Sequence, residues 1–252
     1  HGKVEGQIAQ KQQDAQQAYR LLDELEAQAR TETAELNAVR AGKARLLAET
    51  QGSEAAYRRQ YETLREQLER TGNFARDARS RIGSRVWDES GYYFNQLDSR
   101  WIDATLGFSS TSTIGDYGCG VTSLAMVFKK YGIGTDPPAL NDKLKRVRAF
   151  VGDLMDWRNT PAASDGRLVL ANNPYPVGRG NVDWGLIDRQ LAAGHPVIVF
   201  IDRPGQISHY VVLIERRGGD YLMHDSIEGP YLKFGDYYQA AWIYQFITFR
   251  PA

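Results

Sequence analysis

From Val4 to Leu46 the apolar residues recur at alternating steps of four and three: Val4, Ile8, Ala15, Ala18, Leu22, Leu25, Ala29, Leu36, Val39 and Leu46. Only Lys11, Glu32 and Lys43 interrupt the seam. About six repeats of this kind specify a long helix with one narrow apolar stripe. Such a helix is roughly 70 Å long and cannot bury its own stripe. The chain must therefore supply a second helix or meet another molecule along this seam.

A second series follows in a different phase, Tyr57, Tyr61, Leu64 and Leu68. Gln51-Gly52-Ser53 separates the two, with Ser53 suited to cap the new helix and Glu54 in its first turn. The spacing predicts a coiled-coil helical hairpin over residues 1–72, whose returning arm ends near Thr71-Gly72-Asn73 or continues weakly to Ile82-Gly83. A linker over 73–90 and a second domain over 91–252 are expected to follow. Composition changes at this join: residues 1–82 hold no proline or tryptophan, whereas the remainder holds all 9 Pro and all 5 Trp. The longer first helix leaves a length of seam unpaired, so a second copy of the chain or a membrane protein is expected to dock there.

The opening His1-Gly2 reads as a trimmed or processed product, with any signal peptide absent from this sequence. The expected location is secreted or associated with the cell envelope. No apolar run reaches the length of a membrane span. Basic and acidic residues balance at 31 each, so no positive field exists to hold nucleic acid.

Beyond residue 91, Thr113–Met126 carries the only cysteine, Cys119, between Gly118 and Gly120. The turn leads into a helix over Cys119–Tyr131 with Leu124, Ala125, Phe128 and Tyr131 on one face. A thiol in a first helical turn meets unpaired N–H groups and the positive end of the helix dipole, which favour a thiolate. Residues 133–181, with Trp157, read as short helices and loops facing a substrate. A helix over Val182–Ala193 and strands over Val197–Ile201, His209–Glu215, Tyr221–Asp225 and Trp242–Phe249 complete an α+β domain.

Nucleophilic catalysis by a thiol needs an imidazole to take its proton and a group to orient that imidazole. His1 is terminal, and His195 sits in a helix-to-strand turn where capping accounts for it. If the strands beginning at His209 and ending at Asp225 pair through the turn Arg217–Asp220, their outer ends lie side by side. Alternation gives His224 and Asp225 opposite faces. The useful pair is then His209 with Asp225. Taken singly, each has an ordinary structural reading: a packed cysteine, a strand-end histidine and a turn aspartate.

Five stretches together resemble the bacteriocin-processing-like, double-glycine-peptidase-like branch of the papain-like cysteine peptidases. In order they are Gln96–Trp101, Thr113–Met126, Ala193–Val199, Ser208–Leu213 and His224-Asp225-Ser226. The resemblance implies a papain-like domain, a helix bearing the nucleophile packed on an antiparallel sheet. It also implies Cys119 as nucleophile, His209 as base, Asp225 as its orienting group and Gln96 as oxyanion-hole donor. Ser226 stands where proline is common in that family. Members that cut double-glycine leaders are usually fused to a transporter, which nothing in these residues resembles.

A helical arm ahead of such a domain is also similar to the layout of bacterial cell-wall hydrolases. The expected activity is that of a cysteine peptidase on peptidoglycan peptides, an endopeptidase or amidase without metal or cofactor. Tyr117 and Trp157 are expected to line its groove, and the arm to dock to a partner or fold back over the Trp157 region. Two alternatives remain at this point: an inert peptide-binding module on a coiled-coil scaffold, and a protease acting on a protein.

Overall fold

The structure is a computed structural model that describes residues 20, 22–34, 36–37, 39–44, 54–83 and 91–252. The described residues between 20 and 44 are helical (α1), and α2 spans Glu54–Ile82. The turn expected at Gln51–Ser53 and the seam before residue 20 lie outside the described residues, as does the linker over 84–90.

The globular part opens with irregular chain over residues 91–113 and then a short helix, α3 (Ile114–Tyr117), followed by α4 (Cys119–Lys130) and α5 (Pro137–Arg146). A two-stranded hairpin, β1 (Phe150–Val151) with β2 (Leu154–Met155), a 3₁₀ helix over Trp157–Ser164 and strand β3 (Leu168–Leu170) come next. Helix α6 (Trp184–Ala192) then leads into β4 (Val197–Arg203), β5 (Ile207–Arg217), β6 (Asp220–Asp225), β7 (Gly229–Lys233) and β8 (Ile243–Pro251). The main sheet is antiparallel, ordered β3-β8-β4-β5-β6-β7.

This is the mixed helical and antiparallel architecture expected from the sequence. The four apolar runs become β4, β5, β6 and β8, and the Arg217–Asp220 turn joins β5 to β6. Of the four strands not anticipated, β1 and β2 form the separate hairpin and the other two are the edges of the main sheet: β3 has only three residues, and β7 begins Gly229-Pro230. Proline is tolerated at an edge because no ladder hydrogen bond is needed there.

Two cores form on opposite faces of the sheet. Ile198, Val212 and Ile247 face α4 through Leu124, Ala125 and Phe128. Val197, Val199, Val211 and Leu213 face α6 through Ile187 and Leu191. Strand β4 is buried on both faces, which accounts for its unbroken apolar sequence.

Residues 73–82 are not a linker. Helix α2 continues through them to Ile82 and ends at Gly83, whose positive φ of 68° suits a helix-terminating glycine. The extension forms because Ala75 and Ala78 pack against Leu97, Ile102 and Ile227 of the globular domain, with Phe74 at the edge. The seam of the returning helix has the same destination: Leu64 and Leu68 face the domain. On α1 the seam residues Leu22, Leu25, Leu36 and Val39 are exposed. Two glycines permit close approach of the helices to the domain. A Cβ at Gly72 would run into the ring of Tyr117, and one at Gly42 into Val151 of β1.

Candidate active site

Cys119 is the first residue of α4, with Gly118 as its N-cap. The preceding α3 is capped by Thr113, whose hydroxyl accepts from Asp116 N–H at 3.1 Å. Gly118 has an ordinary φ of −83°, so the reason for glycine there is space. A Cβ would lie 2.5 Å from the carbonyl oxygen of Ile114 and 2.8 Å from its Cα. Gly118→Ala must therefore push the start of α4, and Cys119 with it, away from α3. We expect about 1–3 kcal/mol of destabilisation by denaturant titration, with slowed thiol chemistry in the folded fraction.

Strand pairing sets Asp225 opposite Val211. His209 and Val211 share a face of β5, so the imidazole reaches the carboxylate diagonally. His209 Nε2 lies 2.9 Å from Asp225 Oδ1, and both side chains are fully buried. Asp225 is held further by Tyr238 Oη, which donates to Oδ2 at 2.6 Å, and by Ile227 N–H and Glu228 N–H, which donate to Oδ1 at 2.8 and 3.1 Å. Tyr93 Oη donates to the backbone carbonyl of Asp225 at 3.0 Å.

Burial by itself pulls the imidazole pKa down. The charge and hydrogen bond of Asp225, together with Cys119 beside the ring, overcome this and raise it to about 10. Burial works against ionised Asp225 as well, but His209, Tyr238 and the Ile227 N–H hold its pKa below the usual carboxylate range. At neutral pH the favoured state is an imidazolium paired with a carboxylate. Nδ1 of His209 has no hydrogen-bond partner, and Cys119 is the neighbouring group that acts on this imidazole.

Gln96 is fully buried, between the segment preceding the cysteine and the end of β6. Its Nε2 donates to Gly115 O at 2.8 Å, and its Oε1 accepts from Ser226 Oγ at 3.2 Å. Ser226 thus clamps the carboxamide. The amide is tethered beside the cysteine turn and is not among the residues that line the cavity.

The cavity beside Cys119 has a volume of about 250 Å³. Tyr117 and Trp157 both line it, along with Met155, Phe200, Tyr210, Tyr244 and Gln245. Trp157 Nε1 donates to Tyr210 Oη at 3.1 Å, and Tyr210 Oη to Gln245 Oε1 at 2.9 Å, fixing an aromatic wall. Helix α2 adds a further wall: Leu64, Gln67, Leu68 and Thr71, one helical face, border the same cavity. One turn further, the Phe74 ring lies 5.0 Å from that of His209. Cys119 is only 2% exposed under this cover.

The other two described histidines have structural surroundings. His195 Nδ1 lies 3.1 Å from Gln190 Oε1 beside Tyr131. His224 faces away from Asp225, among Tyr92, Tyr93 and Tyr231, and burial lowers its pKa to about 4. The sequence carried no signal for Tyr238 or Phe74, and the expectation that the arm docks to a partner or folds back over the Trp157 region did not name the residues of α2 that border the cavity. The period of Leu64 and Leu68 was visible, but nothing local indicated which surface they would meet.

A family model described as "Peptidase_C39 like family" matches residues 92–245. No curated protein matches. Among solved structures, a crystal structure of a C39-like peptidase from Bacillus anthracis aligns with 18% sequence identity and a TM-score of 0.45. The alignment covers 66% of this chain and 98% of that one. With the family match extending over well more than half of its length, the chain belongs to the Peptidase_C39 like family and is a cysteine peptidase of the papain-like class.

Proposed function

We propose that the chain hydrolyses peptide bonds of peptidoglycan through Cys119, His209 and Asp225, and that α2 covers the site at rest. The observation that carries the catalytic part is the buried His209–Asp225 pair beside the cavity that Cys119 lines. With Nε2 committed to Asp225, Nδ1 is the nitrogen that exchanges a proton with the thiol. The thiolate attacks the scissile carbonyl, and the oxyanion takes the backbone N–H at the start of α4 together with the second N–H of Gln96. His209 then protonates the departing amine. Water, deprotonated by His209, cleaves the thioester and restores the thiol.

Peptidoglycan is favoured by the helical arm ahead of the domain, the layout that resembles cell-wall hydrolases. An envelope or extracellular location fits that substrate. Among the described residues no helix is long and apolar enough to cross a membrane. The cover is favoured by contacts along α2. Arg70 Nη2 lies 2.7 Å from Asp202, Arg79 Nη2 lies 3.2 Å from Asp103, and Arg81 Nη2 lies 3.2 Å from Glu228. Gln67 is buried against the cavity with its Nε2 unpartnered, a cost of about 1–3 kcal/mol that release of the helix would relieve.

The test uses the full chain and Gly72→Trp, whose side chain must displace α2 from Tyr117. Both are incubated with muropeptides and, separately, with iodoacetamide. New amine ends should appear with both proteins, faster with Gly72→Trp, and Cys119 should alkylate about tenfold or more faster in the variant. Unchanged alkylation would refute the covering helix. Cleavage of unstructured proteins but of no muropeptide would move the substrate to the protein class.

A further inference from the structure

We infer that Asp202 and Ser208 form a substrate subsite for a guanidinium or ammonium group, and that Arg70 of α2 occupies it as an internal stand-in. The inference rests on the peptidase reading above and deepens it by naming a substrate class.

The sheet itself provides the first argument. Phe200 pairs with Tyr210 across β4 and β5, and two residues on, Asp202 pairs with Ser208. A step of two keeps the same face, so the wall that lines the cavity at Phe200 and Tyr210 continues directly to Asp202 and Ser208. Ser208 is also the residue immediately before His209. A peptide extending along this wall from Cys119 meets these two side chains next.

The chemistry of the pair provides the second argument. Asp202 is fully buried, and a buried carboxylate must be neutralised and hydrogen-bonded. Its Oδ2 accepts from Arg179 Nη2 at 2.5 Å, and Arg179 Nε donates to the Asp202 carbonyl at 2.9 Å; both belong to the domain. Oδ1 accepts from Ser208 Oγ at 3.1 Å and from Arg70 Nη2 at 2.7 Å. Arg70 Nε also donates to Ser208 Oγ at 3.1 Å. Arg70 thus reads the subsite with two of its nitrogens, and it comes from the helix that shields the cysteine. Once α2 leaves, Oδ1 and the serine hydroxyl lose their cation while Arg179 stays. A basic residue of the substrate would restore what was lost, so substrate and arm compete for one place.

The experiment uses full-length Arg70→Gln with peptides in matched pairs, arginine against citrulline at one position at a time. Citrulline keeps the shape and removes the charge. Hydrolysis is followed in this variant, and binding by fluorescence anisotropy in the Arg70→Gln, Cys119→Ala double variant. At one position arginine should be favoured at least about tenfold in both assays. Agmatine should compete. Adding Asp202→Asn, with folding checked by circular dichroism, should abolish the preference. Equal handling of arginine and citrulline at every position overturns the subsite, even if the peptides are cut well, as does binding of neither. An arginine preference in binding without hydrolysis by any variant supports the subsite and instead refutes the proposed catalytic roles.

Discussion

Cys119→Ala in the Gly72→Trp background should lower kcat/KM on a cleaved peptide by about four orders of magnitude or more. The chain has no other thiol to take over, and removing a nucleophile removes the covalent route altogether. His209→Gln should cost nearly as much, and the double variant little more than either alone, because nucleophile and base act as one unit. Stability should barely move with Cys119→Ala, by about 1 kcal/mol, since the change is small in volume. A variant that loses activity while keeping its thermal midpoint assigns the loss to chemistry. Substantial turnover by Cys119→Ala would remove the nucleophile from the mechanism.

Asp225→Ala should fail differently, in stability as well as rate. It strips a buried carboxylate from His209, the Tyr238 hydroxyl and the N–H groups of Ile227 and Glu228. Leaving such groups unpaired costs about 3–5 kcal/mol, read by urea titration. Asp225→Asn keeps an acceptor for the N–H groups but not the charge, so its deficit should depend on pH. The carboxylate pKa is depressed from its ordinary 3.8, so its stabilising contribution exists above that value and fades as pH falls through the lower folded-state pKa. The imidazole is raised from 6.5 to about 10, so its contribution is complete below 6.5 and fades as pH rises toward 10. The difference in thermal midpoint between wild type and Asp225→Asn should therefore be greatest between about pH 4 and 6.5, and shrink on either side. A difference that is flat from pH 4 to 10 would contradict the charged pair.

Much of this site could be read from short stretches because each part carries a local signature. A lone cysteine between glycines starts an apolar helix, and alternation puts His224 and Asp225 on opposite faces, so that the imidazole's need for a carboxylate selects Asp225. The turn Arg217–Asp220 joins the strands, but a register shift between Leu213 and Glu215 is what sets Asp225 opposite Val211, on the face of His209, and no local signal announced that shift. Gly118 was legible as a special position, but for a reason only packing reveals: the carbonyl of Ile114 leaves no room for a Cβ. Tyr238 sits in the irregular connection between two short 3₁₀ turns, Phe234–Asp236 and Ala240–Trp242, so its bond to Asp225 had no sequence signal.

The arm marks the division most clearly. Heptad spacing alone determined that residues 4–46 and 57–68 favour helices with one apolar face each, because side-chain direction follows from the helical period. It could not determine what those faces meet, because burial of apolar surface is non-directional and any complementary surface will serve. The tertiary structure decided that Leu64, Leu68, Ala75 and Ala78 meet the peptidase domain, and that Arg70 reaches a carboxylate 132 residues away. Periodicity specifies a face; only the fold of the rest of the chain specifies its partner.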